Sequence, residues 1–238
     1  MKAMILAAGL GTRLRPLTDN RPKALVEVAG RTLLEITLDR LRSFGIRDVI
    51  INVHHFSDMI VEYLKKKDDF GMHIEVSRED LLLDTGGGLK RAAWFFRDDA
   101  DPFILHNVDV LSTIDIRRMV QFHTENQALA TLAVQDRKTS RPLLFDEHLQ
   151  LCGWKTEIVR SSPQLQNLAF SGIHVLSPHV LPMITEEGAF SIIHSYLRLS
   201  SQGEKILAFR SDEYYWRDLG RPENVMQAVQ DLKAGIIL

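Results

Sequence analysis

Short apolar runs alternate with amphipathic segments along the first half of the chain. The apolar runs predict β-strands, at residues 2–7, 48–53, 73–76, 102–106 and 128–134. Between them, apolar positions three and four residues apart predict helices, at residues 32–42, 57–66, 88–96 and 114–123. Strands separated by helices of this length form βαβ units, so the pattern predicts an α/β fold with a mainly parallel sheet flanked by helices. Ligands bind such sheets beyond the carboxyl ends of the strands.

The pattern changes after about residue 135. Short strand-like segments joined by turns are predicted at residues 141–145, 149–153, 154–159, 169–176, 206–209 and 214–217. Helices are predicted at residues 178–184, 191–199 and 222–233. Pro222 suits the first turn of the last helix, and Glu223 is favourable beside its positive end. We interpret this second half as a smaller, mixed subregion and not as a separately folding domain.

Composition limits the class of protein. A chain of 238 residues with 45% hydrophobic content can bury a substantial core. Its net charge of −2, from 29 basic and 31 acidic residues, gives no general attraction to nucleic acid or to anionic membranes. The single cysteine excludes an intramolecular disulfide. Neither a signal region nor an apolar run of about 20 residues is visible, so we expect a cytoplasmic protein with no membrane span.

The first predicted strand runs into a glycine-rich segment with few side chains to keep a ligand at a distance. Glycines permit the positive φ angles that direct successive N–H groups at one anion. A hydroxyl and three cations follow, which suits a polyphosphate: Thr12, Arg13, Arg15 and Lys23. The spacing matches neither the P-loop nor the Rossmann fingerprint. Gly-Leu-Gly alone is more often an ordinary turn, but the Thr-Arg, Pro-Leu-Thr and Pro-Lys behind it favour the phosphate interpretation.

Two aspartates follow predicted strands. Asp109 follows an apolar strand and is flanked by Val108 and Val110, which a solvated surface acid would not require. Asp218 follows the aromatic segment Tyr214–Trp216 and precedes a predicted helix. A lone aspartate in either place is more often a turn or helix-cap residue. A hard divalent cation, by contrast, requires carboxylates.

Taken in order, these motifs resemble the sugar-phosphate nucleotidyltransferases, which join a sugar 1-phosphate to a nucleotide and release pyrophosphate. The family pattern G-x-G-T-R-[LM]-x-P-x-T, then P-K-P, is met at every position except the last, where Ala24 replaces proline. Matching features near residues 85, 107 and 218 extend the resemblance over the whole chain. It implies a Rossmann-like, GT-A-like nucleotide-diphospho-sugar transferase fold in a single domain, residues 1–238. The nucleotide-binding part is expected at about residues 1–135 and the sugar-binding part at about 136–238.

The resemblance also implies roles for individual residues. Arg13, with the amides of Gly11 and Thr12, would hold the β- and γ-phosphates, and Lys23 would neutralise the α-phosphate. Asp109 and Asp218 would hold Mg²⁺, and the implied catalytic residues are Arg13, Lys23 and Asp109. The implied nucleotide-binding residues are Leu6, Ala7, Ala8, Gly9, Gly11, Thr12, Arg13, Lys23, Asn52, Gly86 and Gly87. The implied sugar-binding residues are Gly87, Asn107, Ser171 and Gly172.

Several alternatives stay open. The glycines at 86–88 are either a ligand contact or a plain helix-entry turn. The small family members that use UTP with N-acetylmuramic acid (MurNAc) 1-phosphate are the first expectation, and those that use GTP with mannose 1-phosphate are the second. A regulatory subunit that senses nucleotide sugars without turnover is a non-enzyme alternative, and an NAD-linked oxidoreductase lacks the required G-x-G-x-x-G fingerprint. We expect a monomer or small homo-oligomer, and a phosphate contact from Lys155 is left open.

Overall fold

The computed structural model describes residues 1–97, 99–154 and 165–236. The strands are β1 (Lys2–Leu6), β2 (Glu27–Val28), β3 (Arg31–Thr32), β4 (Asp48–Val53), β5 (His73–Arg78), β6 (Phe103–Asn107), β7 (Val110–Ser112), β8 (Ala130–Gln135), β9 (Leu143–Phe145), β10 (Leu151–Trp154), β11 (Gln166–Leu176), β12 (Ile206–Arg210) and β13 (Trp216–Asp218). The α-helices are α1 (Leu33–Ser43), α2 (Ser57–Lys66), α3 (Asp84–Ala92), α4 (Ile116–Glu125), α5 (Ile192–Ser201) and α6 (Pro222–Lys233). None of the helices in these ranges is long and apolar enough to cross a membrane.

A central sheet joins the two halves of the chain. Its main path runs β10-β9-β11-β6-β1-β4-β5, and β8 pairs with β11 and with β12. The β5, β4, β1 and β6 strands are parallel neighbours, as are β8 and β12. The long strand β11 runs antiparallel to both β6 and β8, so β6 and β8 point the same way. The predicted mixed, mainly parallel sheet is confirmed, and its carboxyl edge collects the ends of β1, β6 and β8.

Helices cover both faces of the sheet, as the sequence predicts. Successive residues of β1 face opposite sides, because side chains alternate along a strand. Ala3 and Ile5 pack into the core under α1, α2, α4 and α6. Met4 and Leu6 pack into the second core, under α3 and α5. Burial on both faces explains why this strand reads as a continuous apolar run and not as an alternation.

One helix start differs clearly from the sequence prediction, and one predicted helix has no side-chain cap. The α3 helix begins at Asp84, not at Gly88, so the three glycines lie within the helix. Ser57, a residue type that favours helix N-caps, is the first residue of α2 and does not cap it, and Phe56 precedes it in the left-handed region. By contrast, Thr32 caps α1 by accepting a hydrogen bond from the Glu35 N–H. The strand predicted at residues 154–159 falls, beyond Trp154, outside the described residues.

Candidate active site

A cleft of about 1140 Å³ opens at the carboxyl edge of the sheet. Ten of the residues that the sequence singles out line it: Leu6, Ala8, Gly9, Arg13, Lys23, Asn52, Asn107, Asp109, Gly172 and Asp218. Seven others do not line it: Ala7, Gly11, Thr12, Arg15, Gly86, Gly87 and Ser171. The structure therefore brings residues more than 200 positions apart into one cleft, and the remaining predicted residues lie outside its lining.

The glycine-rich loop after β1 is held from behind. Gly11 has a φ of +67°, and its carbonyl oxygen accepts hydrogen bonds from the Thr18 hydroxyl at 2.8 Å and the Leu14 N–H at 2.9 Å. The Leu14 side chain is fully buried and anchors the turn in the core. Arg13 is left exposed next to this anchor, on the rim of the cleft. The loop thus presents a cation from a fixed backbone.

The two aspartates are brought together by a small antiparallel ladder between β7 and β13. Asp218 pairs with Val110, the residue after Asp109, and the Leu219 N–H donates to the Asp109 carbonyl at 2.7 Å. At Gly220, a Cβ would lie 2.7 Å from Asp218 Oδ1, 3.3 Å from Asp109 Oδ2 and 3.0 Å from Arg13 Nη2. Both carboxylates and the Arg13 guanidinium therefore face one space that only glycine leaves open. Gly220 lies two residues after Asp218 in the segment Trp216-Arg217-Asp218-Leu219-Gly220, which was the available signal for its role.

This donor set fits a divalent cation of the Mg²⁺ type. Such a cation takes one or two carboxylates from the protein and completes its octahedral shell with water and substrate phosphate oxygens. Among the described residues, no group of three or more histidine, cysteine, aspartate or glutamate side chains is arranged to hold a metal ion. The pair of Asp109 and Asp218 therefore suits a cation shared with phosphate and not a closed structural site.

Lys23 is already placed against one of these carboxylates. Its Nζ lies 2.8 Å from Asp109 Oδ2, and its side chain is 15% exposed. The short turn Lys23–Leu25 positions it, with Ala24 fully buried beneath. The departure from proline at position 24 leaves the lysine in the cleft.

Asn52 supports the glycine-rich side of the cleft from inside the protein. It is 2% exposed, and its Oδ1 accepts a hydrogen bond from the Ala7 N–H at 2.8 Å. Its Nδ2 donates to Glu79 Oε1 at 2.7 Å, and Glu79 Oε2 accepts from the Leu83 N–H at 3.0 Å. This network ties the glycine-rich loop to the segment before α3. Glu79 is a buried residue that the sequence analysis missed, since an isolated glutamate carries no motif.

The three glycines of α3 pack against protein. A Cβ would lie 2.2 Å from the Phe190 ring at Gly86, 2.4 Å from the Gly188 carbonyl oxygen at Gly87 and 2.7 Å from Asn52 Nδ2 at Gly88. Asp84 and Thr85, not the glycines, line the cleft at this end. A methyl group at Gly87 would therefore meet the Gly188 backbone.

We expect Gly87→Ala to destabilise the protein without ligand. A backbone oxygen at 2.4 Å cannot move away as a flexible side chain can, so overpacking should cost about 1–3 kcal/mol. Thermal unfolding of the apo protein measures this loss. Gly153→Ala is the matched control, since its Cβ would make an ordinary 3.6 Å contact with Leu144. An unchanged melting temperature for Gly87→Ala would contradict the packing described here.

Of the two predicted residues on β11, Gly172 reaches the cleft and Ser171 does not. Gly172 has a φ of +76°, and a Cβ there would lie 2.9 Å from Asn107 Nδ2. The register of β11 against β8 shifts at this point, as in a β-bulge. The Ser171 side chain is fully buried, and its carbonyl accepts a hydrogen bond from Trp216 Nε1 at 2.7 Å. Its contribution to the site is therefore the placement of Trp216.

A buried pair of histidines underlies the same wall of the cleft. Burial, followed by the charge of Arg40, lowers the pKa of His106 to about 4. Burial, followed by His106, lowers the pKa of His174 to about 3. His174 Nδ1 lies 3.0 Å from the Tyr196 hydroxyl. Both imidazoles are therefore neutral near pH 7 and add no charge to the site.

Three residues that line the cleft near Gly172 were not among the predicted site residues: Arg137, His174 and Trp216. Arg137 follows the carboxyl end of β8, which is the edge where ligands bind such sheets. That rule was the available signal for Arg137. Lys155, left open above, lies outside the described residues.

Comparison with other sequences gives one family. Residues 2–143 match the family described as nucleotidyl transferase. An N-acetylmuramate alpha-1-phosphate uridylyltransferase from Caulobacter vibrioides is 30% identical, over 95% of this chain and 94% of the relative. A mannose-1-phosphate guanyltransferase from Yarrowia lipolytica is 30% identical, over 95% of this chain and 62% of the relative. The chain therefore spans less than two thirds of that second protein.

Comparison with solved structures supports the fold. The structure of HddC from Yersinia pseudotuberculosis complexed with GMP-PN is similar with a TM-score of 0.79. The match covers 97% of this chain and 99% of that one at 22% sequence identity. At this identity the likeness concerns the fold alone.

Proposed function

Because the chain belongs to the nucleotidyl transferase family of enzymes, we propose that it couples an NTP with a sugar 1-phosphate to form an NDP-sugar and pyrophosphate. The observation that carries this proposal is the convergence of Asp109, Asp218, Arg13 and Lys23 around one space at the carboxyl edge of the sheet. Such a set suits phosphoryl-type transfer, which requires charge neutralisation and in-line geometry more than a nucleophilic side chain.

The proposed step balances without a general base. A phosphate oxygen of the sugar 1-phosphate forms a bond to the α-phosphorus of the NTP. The bond from that phosphorus to the bridging α–β oxygen breaks, and pyrophosphate leaves with the electron pair. The attacking oxygen is already anionic near neutral pH, so no proton has to be removed. This explains why the cleft can work with charged side chains alone.

Each charged residue then has a defined task. Arg13 stabilises the departing pyrophosphate from the rim of the glycine-rich loop. Lys23 neutralises the α-phosphate as negative charge develops there. Asp109 and Asp218 would hold Mg²⁺, which supplies positive charge to the phosphate oxygens when bound. The base and ribose would lie toward Leu6, Ala8 and Asn52, and the sugar toward Asn107 and Gly172.

For the substrates, we propose UTP and MurNAc 1-phosphate. The supporting observation is the similarity to the uridylyltransferase relative, which is 30% identical over 237 aligned residues. GTP with mannose 1-phosphate is the alternative, at the same identity of 30%. The proposed product belongs to the class of activated sugars consumed in cell-wall or glycan synthesis.

A substrate screen tests the proposal. Four NTPs are combined with a panel of sugar 1-phosphates in the presence of Mg²⁺, and pyrophosphate release is followed. We expect the highest kcat/KM for UTP with MurNAc 1-phosphate. A preference for GTP with mannose 1-phosphate would overturn the substrate assignment but not the reaction. Nucleotide-sugar binding with no turnover for any pair would instead indicate a sensing subunit.

A further inference from the structure

Arg137 is a half-buried cation that the proposed reaction has not yet used. Its guanidinium carbon lies 3.6 Å from the centre of the Trp216 ring, so the cation stacks on the aromatic face. Nη2 donates a hydrogen bond to the Phe170 carbonyl at 2.7 Å. Nε is buried and has no hydrogen-bond partner among the described residues. Arg137 forms no ion pair with any carboxylate in these ranges, although it lines the cleft.

The backbone that carries Arg137 is firmly held. Gln135, the last residue of β8, donates from Nε2 to the carbonyls of Ser211 at 2.8 Å and Tyr214 at 3.0 Å. The Asp136 N–H donates to Asp212 Oδ1 at 2.6 Å. The Arg137 guanidinium is therefore held in place by its fixed main chain, by its stacking on Trp216 and by its hydrogen bond to the Phe170 carbonyl. Such an arrangement places a charge in advance and reduces the entropy lost when it binds an anion.

The sheet order decides which substrate Arg137 can reach. Along the carboxyl edge the order is β1, β6, β11 and β8. The phosphate loop with Arg13 follows β1, Asp109 follows β6, and Arg137 follows β8. The carboxylates therefore lie between the phosphate loop and Arg137, which is beyond them on the sugar side.

Arg137 is also close to the reacting end of the sugar side and not at its periphery. Trp216 and Asp218 lie two residues apart on β13, so their side chains point to the same face. The guanidinium that stacks on Trp216 is therefore next to Asp218. Burial lowers the pKa of Arg137, and the negative charge of Asp218 raises it, which reflects the same proximity. The group remains a cation near neutral pH.

We propose that Arg137 is a catalytic residue that binds the phosphate of the sugar 1-phosphate, the attacking group. This inference rests on the proposed function and adds a residue to it. A guanidinium offers several N–H donors in one plane, which matches phosphate oxygens. Held between Asp218 and Phe170, it aligns the attacking oxygen toward the α-phosphorus while Arg13 and Lys23 hold the nucleotide. No proton transfer is assigned to Arg137, because the attacking oxygen is already ionised.

The test separates the two substrates by steady-state kinetics. Arg137→Met keeps an unbranched side chain over Trp216 but removes the charge and the donors. We expect the KM for the sugar 1-phosphate to rise about 10- to 100-fold and kcat to fall. A change of this size is expected when charge-assisted hydrogen bonds to a phosphate are lost. The KM for the NTP should stay within about twofold. Arg137→Lys, which keeps the charge without the planar donors, should be intermediate.

Lys138→Met is the matched control, since Lys138 is the next residue, is exposed and does not line the cleft. It should leave both KM values and kcat unchanged. A sugar 1-phosphate KM that Arg137→Met leaves unaltered, or an equal rise in the KM for the NTP, would overturn the inference. If Arg137→Met lowers the melting temperature, Arg137→Lys is used instead. A rise in its KM for the sugar 1-phosphate without a rise in its KM for the NTP supports the inference, and any other pattern overturns it. If wild type shows no turnover with any substrate pair, the proposed function itself fails, which is a different result.

Discussion

Asp218→Asn should fold like the wild type and lose nearly all turnover, and Asp109→Asn should do the same. Both side chains face the space beside Gly220, and an amide of the same shape removes the negative charge that a hard cation requires. Asp218 joins the β7–β13 ladder through its main chain, and the Asp109 carbonyl accepts from the Leu219 N–H, so these two contacts do not require the carboxylates. Since bound metal contributes several kcal/mol to the transition state, kcat should fall at least about 10³-fold.

Pyrophosphate release in saturating Mg²⁺ measures this loss. Asp58→Asn is the control, because that carboxylate is 81% exposed and pairs with Arg78 on the surface. EDTA should abolish wild-type activity, and added Mg²⁺ should restore it. A near-wild-type rate for either variant would show that the residue is not a metal ligand. Loss of the folded state in Asp218→Asn would show that the carboxylate is structural, through its 2.6 Å hydrogen bond from the Gly220 N–H.

Lys23→Ala should lower kcat more than it weakens nucleotide binding. Its ammonium is 2.8 Å from Asp109 Oδ2 and mostly buried, so its charge acts in a poorly screened place where negative charge builds on the α-phosphate. We expect kcat to fall about 10²- to 10³-fold, as on removal of a preorganised electrostatic group. Arg13→Ala should act in the same direction from the exposed rim of the loop.

Arg15→Ala is the matched control for these two cations. Arg15 belongs to the same loop, but its side chain is 70% exposed, pairs with Asp19 and does not line the cleft. It should change kcat by less than about twofold. A rise in KM for the NTP with kcat preserved in Lys23→Ala would mean that Lys23 binds the ground state only. The transition-state role assigned to it would then be wrong.

Much of the site could be predicted because most of its charged residues belong to short sequence motifs. The glycine-rich loop is contiguous, and Arg13 and Lys23 stand at fixed distances from it. Asp109 could be located by the rule that ligands bind beyond parallel strand ends. Asp218 required the family resemblance, since its own environment equally suited a helix cap. All four of these residues line the cleft in the structure.

Whether the glycines at 86–88 and Ser171 line the cleft could not be predicted from the sequence. Three adjacent glycines allow either a ligand or protein to approach the backbone, and the sequence does not say which. The structure places Phe190, Gly188 and Asn52 against them. Likewise, Ser171 follows a strand residue that reaches the cleft, but a bulge decides which side chains face it. Contacts between segments far apart in the sequence decided both cases.

By itself, the sequence determined the alternation of strands and helices and the mainly parallel sheet, and it identified the glycine-rich loop and the two carboxylates. These features follow from local periodicity and from motifs whose residues act together within a few positions. Only the tertiary structure decided that Asp109 and Asp218 share one space, that Asn52 braces the loop and that Arg137 stacks on Trp216 beside Asp218. The physical reason is that β11 enters the sheet antiparallel between β6 and β8. That placement brings the ends of β1, β6 and β8 to one edge, and it depends on long-range pairing that no local pattern encodes.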